Sequence, residues 1–194
     1  MHWLNSIIDW QIQKKQIPQS DAEIYKYGYY ILFEKALIFI ITVFIAIVLK
    51  AWQEIFLFYI AFVPVRVYSG GYHAKKTINC MVLSGLVLIV NVMAVRLLNT
   101  ITTGIHPVIL EIVFFIILHK ICPVETENRK ISNSEKRYFS KMVSGIYLTE
   151  IVLEVLLIQF GFNNYVNSFV SAHCTNIIIV LAGLACNYIG KNNK

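Results

Sequence analysis

The stretch RVYSGGYHAKKTINCMVL, Arg66 to Leu83, sets a histidine and a cysteine seven residues apart between two strongly apolar segments. A cysteine thiolate is a nucleophile and an imidazole can take its proton, so His73 and Cys80 carry the chemistry of acyl transfer. Thr77 and Asn79 are good helix N-cap residues, and an apolar run follows at once. Cys80 is therefore expected in the first turn of a helix. The helix dipole places about half a positive charge there, and Lys75 and Lys76 add full charges; both effects favour the thiolate. On one straight helix, residues seven apart share a face but stand about 10 Å apart along the axis. His73 can reach Cys80 only if the chain turns back between Ala74 and Asn79. Gly70 and Gly71 permit unusual backbone angles just before the histidine. Their backbone N–H groups, or Arg66, could hold an oxyanion. A lone His and Cys near a membrane face are more often structural, since local Cys/His signatures do not transfer between families. The cap, the glycines and the basic flanks are what favour chemistry here.

The elements that must position this pair are apolar. Of the 194 residues 57% are hydrophobic, and the mean hydropathy is +0.63. Soluble domains sit at about 45–50% apolar, so the composition points to a membrane protein. At roughly 20 residues per span, the length allows about six spans with short loops and no separate soluble domain. No cleaved signal peptide is expected, because residues 1–28 lack a compact apolar core of that kind. They read as an amphipathic helix: Trp3, Leu4, Ile7, Ile8 and Ile12 recur at helical spacing, while Asn5, Asp9, Gln13 and Lys14 fall elsewhere. Such a helix can lie in the membrane interface or pack on the protein.

Six apolar segments follow: Tyr29–Leu49, Trp52–Val65, Cys80–Leu98, Pro107–Ile121, Met142–Phe160 and Phe169–Ile189. The second is short and ends at Pro64 and Arg66, which allows a tilted span or a re-entrant hairpin. Of 17 basic residues, all but Lys50 and Arg96 lie in the N-terminal region to Lys35, in the segments after spans two and four, or at the C-terminus. Six spans put these four regions on one side, which the positive-inside rule makes cytoplasmic. The expectation is an all-α integral membrane protein, with an interfacial helix over 1–28 and a transmembrane domain over 29–194. Both termini and the His73–Cys80 site would be cytoplasmic, where a free thiol persists.

Other constellations are weaker. His119 and Cys122 form an H-x-x-C and His173 adjoins Cys174, but neither has a second ligand pair with clean spacing, so no metal or cofactor is expected. Ser69 with His173 would suit a six-helix intramembrane serine protease, yet Ser69 lies in a basic loop. Glu150 and Glu154 share one face of the fifth segment, where carboxylates are costly and often functional. Lysines or arginines at helix ends could pair with them, and a proton path in a small peptide transporter is the sharper alternative.

Arg66, Gly70-Gly71, His73-Ala74 and Cys80 together resemble the core of the accessory gene regulator B (AgrB) family, bacterial membrane cysteine endopeptidases that process quorum-sensing peptide precursors. CPVETENRKI, Cys122 to Ile131, is similar to a second family loop, with Arg129 and Lys130 replacing its usual Lys-Pro pair. The resemblance covers nearly the whole chain. It implies Cys80 as nucleophile, His73 as base, and Arg66 and Gly71 in support. It also implies a short precursor as partner, with an amphipathic helix, a ring-forming Cys or Ser and an acidic tail, together with the lipid bilayer and a homodimer. No nucleic-acid partner is expected. Lys75, Lys76, Arg129 and Lys130 could attract the acidic tail, although topology needs the same charges. Glu125 and Asn128 are candidates to contact the other ring nitrogen of His73.

Overall fold

A computed structural model of the chain describes residues 2–72, 77–101, 106–125 and 131–192. Among them are seven α-helices: α1 (His2–Gln13), α2 (Ala22–Val48), α3 (Trp52–Ser69), α4 (Thr77–Ile101), α5 (His106–Ile121), α6 (Asn133–Gln159) and α7 (Asn163–Asn192). Each of the six apolar segments lies within or almost wholly within one helix of α2 to α7. The all-α class follows.

Four helical stretches are long and apolar enough to cross a membrane: Gln19–Val48, Thr77–Ile101, Asn133–Gln159 and Asn163–Ile189. The other two are shorter. α3 has 18 residues and α5 has 16, or about 27 and 24 Å of helix against a hydrocarbon core of about 30 Å. α3 runs as one helix through Pro64 to Ser69.

α7 is the central helix and packs on α3, α4, α5 and α6. Half of its apolar window is buried, against 17% for the stretch containing α2, whose Phe39, Ile40 and Phe44 point outward. Two apolar clusters hold the bundle. One joins Ile45, Phe58, Leu88 and Phe169 from α2, α3, α4 and α7. The other joins Val65, Leu118, Tyr147 and Val180 with the loop residues Cys122 and Val124. Buried amides add interhelical hydrogen bonds, such as Asn91 Nδ2 to Ser171 Oγ at 2.8 Å, the usual glue between membrane helices. α1 buries Leu4 and Ile8 and packs on α2, while Trp10 stays exposed.

Contacts between helix ends show α2 to α7 alternating in direction. Tyr30 near the start of α2 bonds Thr77 at the head of α4. The residue after α3, Gly70, bridges Val124 after α5. Tyr68 late in α3 meets the ring of Tyr138 early in α6. At the opposite end Arg96 of α4 donates to the Leu49 carbonyl at 2.6 Å and stands 3.6 Å from Glu54 of α3. α6 begins at Asn133 because Ser132 and Glu135 form a capping box.

Candidate active site

Cys80 is half-buried in the first turn of α4 as described from Thr77 onward, where the sequence puts it. Tyr30 fixes this turn through Thr77. α2 and α4 pack against each other here, with Ile41 and Ile45 of α2 facing Gly85 of α4. One turn along α2 from Tyr30, the half-buried Glu34 carboxylate lies near the Cys80 thiol, with Ser84 and the Lys35 charge also in its surroundings. Sequence reasoning missed Glu34 and Lys35. A charged pair inside an apolar run was the available signal.

The glycine turn is held from three sides. Gly70 has φ 70° and ψ −152°, and Gly71 has φ 111°, conformations that L side chains rarely adopt. The Arg66 guanidinium donates to the carbonyl oxygens of Gly70 and, at 2.7 Å, of Tyr72. The Val124 N–H donates to the Ser69 carbonyl at 2.9 Å, and the Tyr72 N–H donates to the Ile179 carbonyl of α7 at 3.0 Å. A Cβ on Gly71 would stand 2.9 Å from that same carbonyl oxygen, and one on Gly183 would stand 2.7 Å from the Gly71 backbone. The turn therefore lies flat on α7. The geometry gives Arg66 a role in shaping the turn, and Arg66 is also within electrostatic range of Cys80 and Cys122.

The loop Cys122–Glu125 joins this assembly. It contains a cis bond at Cys122–Pro123, bridges Gly70 through Val124, and is tied to α7 where Asn187 Nδ2 donates to the Glu125 carbonyl at 2.6 Å. The two sequence motifs thus share one end of the bundle. His73, Lys75, Lys76, Asn128, Arg129 and Lys130 lie outside the described residues, so the His73–Cys80 distance does too. Glu125 is described and its side chain is exposed.

The remaining candidates resolve differently. Cys122 is buried, and burial pushes its thiol up to about 12 against the pull of Arg66. His119 faces away from it, with Nδ1 2.8 Å from Ser144 Oγ, so the H-x-x-C does not converge. Ser69 is buried with its hydroxyl on the Gly70 carbonyl. His173 gives its two ring nitrogens to Glu111 and Glu150, so Ser69 and His173 do not form a dyad. The partner of Glu150 is this histidine rather than a lysine or arginine at a helix end. Among the described residues Glu154 has no hydrogen-bond partner on either oxygen. Sequence reasoning did not single out Glu111, because its partners come from two other helices.

The sequence model of the Accessory gene regulator B family matches residues 4–193. No curated protein and no solved structure matches the chain. With a helical bundle that carries four membrane-length helices and gathers the Gly70 and Val124 loops at one end, the match spans nearly the whole molecule. The chain belongs to the accessory gene regulator B family of membrane proteins, which take part in autoinducing-peptide processing and quorum sensing.

Proposed function

We propose that the chain is a cysteine endopeptidase that removes the C-terminal tail of a short autoinducing-peptide precursor and passes the remainder on to ring closure. The observation that carries this reading is the position of Cys80 at the head of α4, at the end of the bundle where the two motif loops are locked together. A helix N-terminus favours thiolate and developing oxyanion alike.

In this mechanism His73 takes the Cys80 proton, and the sulfur attacks the scissile carbonyl carbon. The tetrahedral intermediate collapses with loss of the C–N bond, and His73 returns the proton to the leaving amine. The N-terminal part of the precursor is left as a thioester on Cys80. A cysteine thiolate of the precursor, or a hydroxyl in its place, attacks that thioester and expels the Cys80 thiolate, forming a thiolactone or lactone. Thioester exchange keeps most of the bond's free energy, which hydrolysis would lose. The site must therefore keep water from the acyl-enzyme. Lys75, Lys76, Arg129 and Lys130 attract the acidic tail, and Glu125 or Asn128 orients His73.

The same reading makes all six helices α2 to α7 spans, with the bilayer thinned around α3 and α5. Their alternating directions collect the basic segments at the Cys80 end, and that end is cytoplasmic. The test is co-expression with the precursor, a short peptide with a helix, an internal Cys or Ser and an acidic tail. Wild type cleaves it, and Cys80→Ala leaves it intact while remaining in the membrane. Full cleavage by Cys80→Ala would refute the reading.

A further inference from the structure

Four titratable side chains that the cleavage reaction does not use meet inside the bundle. They are Glu111 on α5, Glu150 and Glu154 on α6, and His173 on α7, all buried. His173 Nε2 stands 2.7 Å from Glu150 Oε2, and Nδ1 stands 2.8 Å from Glu111 Oε2. Tyr147 donates its hydroxyl to that same Glu111 oxygen and stacks on the imidazole, with centroids 4.1 Å apart. Glu154 is 0% exposed, and among the described residues neither of its oxygens has a hydrogen-bond partner; Glu111 Oε1 has none either. One oxygen each of Glu111 and Glu154 and a ring nitrogen of His173 all lie within 4.8 Å of one another.

An ionised carboxylate enclosed among apolar helices needs a positive or donating partner. Glu150 has one in His173, and Glu111 has two. Glu154 has none, yet it is aimed at the other ligand atoms.

We propose that Glu111, Glu154 and His173 bind one divalent transition-metal ion in the interior of the bundle, with Glu150 holding the imidazole in position. With Glu150 accepting the Nε2 proton, the Nδ1 lone pair faces the carboxylates, the usual carboxylate–histidine–metal relay. Ligands about 2.1 Å from a tetrahedral ion stand about 3.4 Å from one another. The 2.8 Å Nδ1–Oε2 separation and the 4.8 Å limit bracket that spacing, so small side-chain shifts complete the site. One nitrogen with carboxylate oxygens and no sulfur suits zinc, manganese or ferrous iron rather than cuprous copper. The site is sealed, so the ion ties α5, α6 and α7 together and does not act on a peptide.

The test uses full-length protein in detergent, stripped with chelator, reloaded with Zn²⁺ and desalted. Wild type should retain about one zinc per chain, and its melting temperature should rise with Zn²⁺, because the ion binds only the folded state. Glu154→Gln and His173→Gln should lose the zinc and the shift, whereas Glu23→Gln, at an exposed site on α2, should keep both. Glu150→Gln should bind about 10–100-fold more weakly. Glu154→Gln breaks no hydrogen bond, so its metal-free melting temperature should equal or exceed that of wild type. Wild type that holds no zinc and melts identically with or without it would overturn the proposal in favour of protons alone. So would Glu154→Gln that binds and shifts like wild type. Should that variant fail to fold, Co²⁺-loaded wild type decides: d–d bands without a thiolate charge-transfer band are expected, and their absence, or a thiolate band, overturns it.

Discussion

Gly70 and Val124 form a parallel backbone bridge that joins the turn after α3 to the loop after α5. A Cβ on Gly70 would stand 2.3 Å from the Val124 carbonyl oxygen, closer than any side chain tolerates. Two loops far apart in sequence therefore act as one unit, with Gly71 pressed on α7 behind them.

This contact makes three glycines interchangeable in phenotype. Gly70→Ala and Gly71→Ala must adopt strained backbone angles, at a cost of about 1–3 kcal/mol each, and must also push Val124 or Ile179 away. Gly183→Ala, in the middle of α7, should behave the same way through its 2.7 Å approach to the Gly71 backbone. Each is expected to lower the melting temperature and nearly abolish precursor cleavage. A Gly183→Ala protein as active as wild type would show that the turn does not need its seat on α7.

Glu34 and His73 can be separated as partners of Cys80. A general base is worth about 10²–10⁴-fold in rate, so His73→Gln should lose that much cleavage. Glu34 lies near the resting thiol, and even a full hydrogen bond between them would be worth only about 0.5–1.5 kcal/mol. Glu34→Gln should therefore stay within roughly tenfold of wild type. The reverse ranking in a single-turnover assay would make Glu34 the base.

The cysteines should differ in reactivity. With its thiol pushed up to about 12 by burial, Cys122 stays protonated throughout pH 7–9 and should resist iodoacetamide in the folded protein. Cys122, Cys174 and Cys186 should each be replaceable by alanine without loss of cleavage. Rapid alkylation of Cys122 at pH 7 would mean that its burial is not maintained.

Orientation follows from the alternating helices. Single cysteines at positions 75 and 130 should label with a membrane-impermeant reagent only from the cytoplasmic side, and one at position 164 only from outside. Labelling of position 75 from outside would put the reactive thiol in the wrong compartment.

The apolar runs located every helix of the bundle, yet they misjudged helix ends where polar residues extend a helix. α7 starts at Asn163 rather than Phe169 because Asn167, Ser168 and Ser171 are buried against neighbouring helices. α6 starts nine residues before Met142 because a capping box, not hydropathy, begins it. Cys80 could be placed at a helix head from its own neighbours. The approach of Glu34 could not, since it depends on the register between α2 and α4. Glu150 and Glu154 stood out by their spacing on α6, but their meeting with Glu111 of α5 and His173 of α7 was hidden for the same reason, since no local spacing connects the three helices.

In the proposed reaction Cys80 becomes acylated by the precursor. Mass spectrometry of protein quenched in acid during turnover, using a precursor whose ring-forming cysteine is replaced by alanine, tests it most directly. An adduct on the Cys80 peptide with the mass of the precursor's N-terminal part is expected, released by hydroxylamine and absent from Cys80→Ala. Cleavage of the precursor with Cys80 unmodified, or an adduct on another residue, would contradict it.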